Sequence, residues 1–235
     1  MVIENDSMLL SGSGGAGGGP DAAIAHTANS TPRTAGAATT YTWVSQSIGA
    51  TDPTRRIIVG CIGFLTAAHS VSSVTVGSTS LTFDVTNSQE GADGYLVEIW
   101  SGAVGDGEGT TADIAITFNS ALNVIGAGFG CWRTTDMSST LHDYASAGNK
   151  DDPQSGVLTI PAGGVGVGIS IASDSGAGSA AWSGLSVDYN SASGDYGQSG
   201  ASLASATLQT DLTVDVNWTG TPDNGGTCWA SWERA

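Results

Sequence analysis

From Tyr41 onward the chain runs in short apolar stretches closed by Gly, Asn, Asp or Pro, the spacing of strands separated by turns. Residues 40–48 open the series. Arg55-Arg56-Ile57-Ile58-Val59-Gly60-Cys61-Ile62 is apolar without alternation, as a strand covered on both faces should be. Residues 73–76 and 81–85, joined by Gly77-Ser78-Thr79-Ser80, predict a hairpin. Segments 95–100, 113–118, 124–132, 157–160, 165–171, 181–189, 212–218 and 228–232 complete the series. The spacing predicts about eleven strands in a single all-β domain over residues 41–235, an antiparallel β-sandwich of jelly-roll-like form.

One strand says more than the others. Val165, Val167, Ile169 and Ile171 point one way, while Gly164, Gly166, Gly168 and Ser170 point the other. Glycines weaken a strand interior, so a bare face of Gly164, Gly166 and Gly168 implies that another sheet or another subunit packs very close. It is the candidate assembly surface.

Residues 1–40 look different. Gly-rich runs such as Gly17-Gly18-Gly19-Pro20 predict a flexible arm, with Met8-Leu9-Leu10 as a small apolar peg. Ordering a backbone costs about 1–2 kcal/mol per residue, and an arm poor in large side chains cannot offset that alone. The expectation is that the arm orders only in an oligomer, a homotrimer, with Met8, Leu9 and Leu10 docked on a neighbour.

The net charge of −16, from 6 basic and 22 acidic residues, repels phosphate backbones and anionic headgroups. Neither nucleic acid nor a membrane is an expected partner. The opening Met1-Val2-Ile3-Glu4-Asn5-Asp6 lacks the basic start and apolar stretch of a signal peptide, so export by the ordinary route is not expected. Cys61, Cys131 and Cys228 each sit in an apolar run and read as buried small hydrophobes, neither a disulfide framework nor a zinc site.

Candidate chemistry is sparse. Leu65-Thr66-Ala67-Ala68-His69, Asp113-Ile114-Ala115 and Ser173-Asp174-Ser175-Gly176 follow the chain order of a trypsin-like triad. The position two residues before Ser175, where such enzymes need glycine for the oxyanion hole, is however Ser173. No catalytic role is assigned to His69, Asp113 or Ser175. His26 and His142 have no ligand partner nearby in sequence, and no cofactor or metal is expected. Gly105-Asp106-Gly107-Glu108-Gly109 and Thr221-Pro222-Asp223-Asn224-Gly225-Gly226 hold oxygen donors but lack the alternation of a calcium loop, so both read as turns. Of the 7 tryptophans, Trp182, Trp229 and Trp232 are the candidates for stacking on a host-surface glycan; the strand-borne others read as core.

The runs Ala50-Thr51-Asp52-Pro53-Thr54-Arg55-Arg56-Ile57-Ile58-Val59-Gly60, Val74-Thr75-Val76-Gly77, Gly109-Thr110-Thr111-Ala112-Asp113-Ile114, Ile160-Pro161-Ala162-Gly163-Gly164-Val165 and Ala181-Trp182-Ser183-Gly184-Leu185 occur in that order. In these the chain resembles structural proteins encoded by tailed phages and prophages of aquatic proteobacteria, over residues 41–235. The resemblance implies a β-sandwich and a place in the virion, as a head decoration or spike or as part of a tail fibre or tip. Its partners would be other virion proteins. It rests on turns and corners and carries no functional residues across. A glycan- or receptor-binding sandwich is the alternative, and a serine protease the remote one.

Overall fold

The computed structural model describes residues 23–31, 38–65, 69–89, 94–122, 126–148, 153–173, 178–220 and 222–235. They form an all-β, sandwich-type protein as expected, with seventeen strands rather than eleven, all paired antiparallel in four sheets.

The first nine strands are β1 (Ile24–Asn29), β2 (Thr40–Ser47), β3 (Arg55–Leu65), β4 (Val71–Val76), β5 (Thr79–Ser80), β6 (Thr82–Gln89), β7 (Gly94–Ala103), β8 (Thr111–Phe118) and β9 (Ala127–Thr135). They make one sheet in the order β1-β9-β3-β7-β6 and a second in the order β2-β8-β4-β5, the double Greek key of a jelly roll. The rest are β10 (Met137–Gly148), β11 (Gln154–Ile160), β12 (Gly164–Ser173), β13 (Ala180–Ser183), β14 (Ser186–Ser193), β15 (Tyr196–Ser205), β16 (Gln209–Trp218) and β17 (Asn224–Arg234). Their orders, β10-β17-β12-β15-β14 and β11-β16-β13, repeat the first set strand for strand, β5 alone lacking a counterpart. The repeat extends to detail. Register shifts fall between Phe83 and Val85 and between Val187 and Tyr189, leaving Asp84 and Asp188 at equivalent irregularities.

The four sheets stack as layers with three cores between them. Ile57, Val59 and Cys61 of β3 face the outer sheet of their own jelly roll, while Ile58, Ile62 and Phe64 face the second jelly roll. Both faces of β3 are covered, which explains its unbroken apolar run. On β12, Val165, Val167, Ile169 and Ile171 enter the central core between the two inner sheets.

The two repeats are related by a pseudo-two-fold axis along the strands. Gly60 and Ile169 hold equivalent ladder positions, opposite Ile99 and Gly130 in one repeat and opposite Gly200 and Cys228 in the other. These two equivalents touch: a Cβ on Gly60 would stand 2.6 Å from Ile169 Cδ1. Packing is parallel along the strands, because Phe64 near the end of β3 meets Tyr196, which is paired with Ser173 at the end of β12.

Two expectations need correction. The glycine face of β12 is no subunit surface: Gly166 lies under Ile160 and Leu158, Gly168 under Trp182 and Trp229, and Gly164 against Pro161 and the Trp232 carbonyl, all of the same chain. Of the two alternatives, the close neighbour is the chain's own outer sheet. The arm is also shorter than residues 1–40, since Ile24–Asn29 form β1 on the edge of an inner sheet. Its anchors are main-chain pairing with β9, the packing of Ile24 and His26 against the central core, and a hydrogen bond from Thr27 Oγ1 to the Cys131 carbonyl (3.2 Å). Met8, Leu9 and Leu10 lie outside the described residues.

Candidate functional site

Trp229 and Trp232 cannot stack on a glycan, because both are 0 % exposed. Glycines make the room: Trp229 lies against Gly156 and Gly168. Trp182 is half-buried, but its ring reaches inward to Gly168 and its Nε1–H donates to Ser199 Oγ (2.8 Å). What remains beside it is a 220 Å³ cleft lined by Pro153, Ala181, Trp182, Ser183, Asp215 and Asn217. With Trp229 and Trp232 buried, the three tryptophans do not form the predicted platform.

The protease constellation is likewise not assembled. Val71 pairs with Phe118 and Val76 with Ile114, so His69 precedes one end of β4 and Asp113 faces Gly77 at the other. At ~3.3 Å per strand residue they are roughly 20 Å apart. Asp113 Oδ1 accepts the Ser45 N–H (2.8 Å), and His69 Nδ1 lies 2.7 Å from Ser120 Oγ instead. Ser175 lies outside the described residues.

The loop Gly105-Asp106-Gly107-Glu108-Gly109 is built around a cation supplied by the protein itself. Arg55 is fully buried and its guanidinium donates to the carbonyls of Val104 (2.7 Å), Gly105 (2.6 Å), Gly109 (2.6 Å) and Gly49 (3.3 Å). Burial lowers the arginine's pKa. Glu108 accepts the Ser78 N–H (2.8 Å) and hydroxyl (2.5 Å), which ties in the β4–β5 turn and holds its carboxyl below the usual range. The carbonyls that might have met Ca²⁺ thus accept from Arg55. In the later loop, Asn224 Oδ1 accepts the Gly225 N–H and Thr221 lies outside the described residues. Among the described residues no group of three or more His, Cys, Asp or Glu is placed to hold a metal, and no helix is long and apolar enough to cross a membrane. Cys61, Cys131 and Cys228 are free and buried, with burial pushing Cys131 up to about 12 and the other two well above the ordinary thiol value.

Two further features lie where the two jelly rolls meet. On one side, between β1 and β14, the seam is closed. His26 stacks on Tyr189 (4.9 Å between ring centres) and meets the edge of Trp132, whose Nε1–H donates to Asp188 Oδ2 (2.7 Å). His26 Nε2 is buried without a partner, and burial lowers the pKa of His26 against the opposing pull of Asp188 and a hydrogen bond to the Ala28 main chain. Burial likewise raises Tyr189, in a site that Gly130 and Gly200 leave open for its ring.

On the other side, between β6 and β10, the same positions carry different residues. Tyr144 pairs with Ala230 as His26 pairs with Trp132, and Val85 replaces Tyr189. Two large rings become Ala and Val, and Tyr144 stands 62 % exposed. Beside it opens a groove of 340 Å³ lined by Asn87, Ser88, Gln89, Tyr95, Ser146, Ala147 and Gly148. Asn87 Nδ2 bridges it to the Ala147 carbonyl (2.5 Å), Gln89 Oε1 is buried without a partner, and Tyr95 packs over Gly148 and Gly226. Sequence reasoning missed these residues. Their signal lies in the tandem repeat, which aligns Tyr144 with His26 and so marks it as an aromatic that lost its partners.

No family pattern, curated protein or solved structure matches the chain.

Proposed function

We propose that the protein is a structural component of a phage virion, acting by assembly and display rather than by turnover. The observation that carries this reading is the pseudo-two-fold stack of two jelly rolls with one shared core. Two opposed inner sheets, covered on both faces, make a stiff four-layer block that sets the turns before β3, β6 and β8 at one end of the first jelly roll and the remaining connections at the other. The first of these ends is fixed by Arg55 and Glu108. A stiff body with one end fixed in this way suits a part mounted on a particle. Jelly rolls recur in capsid and lectin domains, and that support is fold-level analogy only.

On this reading the chain joins other virion proteins as a head decoration or tail component, self-associates as a homotrimer, and is made in the host cytoplasm. Mass spectrometry of gradient-banded particles tests it: the chain should band with them at fixed stoichiometry, and particles lacking it would end the proposal.

A further inference from the structure

We propose that Asp84 is a proton-operated latch between the two jelly rolls, one that holds β6 against β10 while its carboxyl is protonated and releases them when it ionises. This goes beyond the virion reading and stands or falls separately from it. Asp84 and Asp188 occupy equivalent irregularities on β6 and β14, and the serines beside them, Ser101 and Ser202, are equivalent too, paired with Ile58 and Val167. The surroundings differ. Asp188 takes the Trp132 indole N–H across its seam at 2.7 Å, whereas on the Asp84 side the counterpart of Trp132 is Ala230, which has no side-chain donor. Asp84 Oδ2 is buried without a partner. In place of an indole, the first jelly roll supplies a cation. Arg56 stands where the second has Val165, is 5 % exposed, and donates from Nη2 to Ser101 Oγ (2.8 Å) and to the Ser139 carbonyl of β10 (3.3 Å).

Arg56 reaches Asp84 through the Ser101 hydroxyl rather than as a direct ion pair, and Arg56 Nε is itself buried without a partner. Burial therefore wins: it raises the Asp84 pKa to about 6 against the pull of the Ser101 hydrogen bond and the Arg56 charge. The other charged groups on the neighbouring strands are engaged elsewhere. Glu98 of β7 accepts the Trp100 indole N–H on the opposite face of the sheet, and Arg55 of β3 holds the 105–109 loop. Asp143 of β10 accepts the Thr159 N–H (2.7 Å), His142 and Glu233 lie 3.9 Å apart, Arg234 lies over Gly163, and Tyr144 is exposed. An ordinary aspartate titrates near 3.9, so the stabilisation from Asp84 is complete below about pH 4 and is lost as pH rises through about 6. The ionised carboxylate, with Oδ2 shielded from solvent, gains water when β6 parts from β10. The seam at His26 has the opposite sign, because burial there lowers the pKa of a base.

The test is hydrogen exchange on the full chain between pH 4 and 7.5, corrected for the intrinsic rate at each pH, together with carbon-13 NMR titration of the aspartate carboxyls. Each unit of pKa shift changes the opening equilibrium tenfold, so protection of residues 82–86 and 137–141 should fall by about tenfold or more as pH rises through about 6. Over the same rise β1, at the His26 seam, should gain protection. Asp84→Asn, which keeps the shape of the neutral carboxyl, should hold the two segments protected throughout. Arg56→Met and Ser101→Ala each remove a group that favours the carboxylate, so each should move the Asp84 midpoint further up. Ser101→Ala is the smallest of these changes, and with the wild-type midpoint it decides the matter even where another variant fails to fold. Three outcomes overturn the proposal: protection of both segments that is flat with pH, the same loss in Asp84→Asn as in the wild type, or an Asp84 midpoint at about 4.

Discussion

Gly60 and Ile169 are equivalent residues of the two jelly rolls that meet each other across the pseudo-two-fold axis, with a Cβ on Gly60 placed 2.6 Å from Ile169 Cδ1 and 3.0 Å from Ile169 Cβ. A symmetric interface brings some position face to face with its own counterpart, and here one member must be bare for the other to be large. Gly60→Ala should destabilise the protein by about 1–3 kcal/mol through overpacking. Ile169→Val, which removes Cδ1, should cost less in the Gly60→Ala background than in the wild type. Urea unfolding of the four proteins of this cycle checks the coupling; additive effects would mean that the two residues do not meet.

That relationship was not legible in the sequence, although much of the fold was. The unbroken apolar run of β3 and the Val/Gly alternation of β12 announced strands covered on both sides, and both proved to be central strands of inner sheets. The repeat was hidden because its two copies share few identities: Asp84 with Asp188 and Tyr95 with Tyr196 agree, whereas Trp132 matches Ala230 and Gly60 matches Ile169. β1 is not legible as a strand because Ile24-Ala25-His26-Thr27-Ala28-Asn29 has one large aliphatic residue, and its place depends on a distant partner, β9. The fate of Trp229 was likewise set by glycines far away in the chain, at 156 and 168.

Arg55 should be the most costly single side chain at the locked end. Replacing it with Met strands the carbonyls of Val104, Gly105 and Gly109, and hydrogen bonds to a charged group contribute about 1.5–3 kcal/mol each before compensation. Arg55→Met should cost about 3 kcal/mol or more, and Arg55→Lys should recover less than half, since an ammonium lacks the fork. Hydrogen exchange through residues 104–110 should accelerate in both. Unchanged protection would show that the guanidinium does not hold the loop.

Glu98 is buried, accepts the Trp100 Nε1–H at 2.7 Å, and has its pKa raised by that burial. A raised folded-state value means that the native protein holds the proton more tightly than the unfolded chain, so stability is lost as pH rises through the folded pKa. Glu98→Gln has no such proton to lose. Its stability relative to the wild type should therefore improve as pH is raised from 4 to 7, followed by urea midpoints at each pH. A difference that is flat or of opposite slope would contradict the assignment.

His26 has the reverse sign. Burial lowers its pKa, with Asp188 only partly offsetting, so the unfolded chain takes up the proton first and stability falls as pH drops below about 6.5. β1 should lose hydrogen-exchange protection between pH 7.5 and 5, and His26→Phe should flatten that dependence. If β1 stayed equally protected across the range, the imidazole would not be controlling its docking.

The central claim, a pseudo-symmetric double jelly roll that serves as a part of a virion, is tested most directly by a cryo-EM map of the purified particle. Density is expected for a four-layer, two-lobed block in symmetry-related threes, with the Arg55 end toward the particle. Particles whose density is fully explained by other chains, with this one left in the soluble fraction of the lysate, would contradict it.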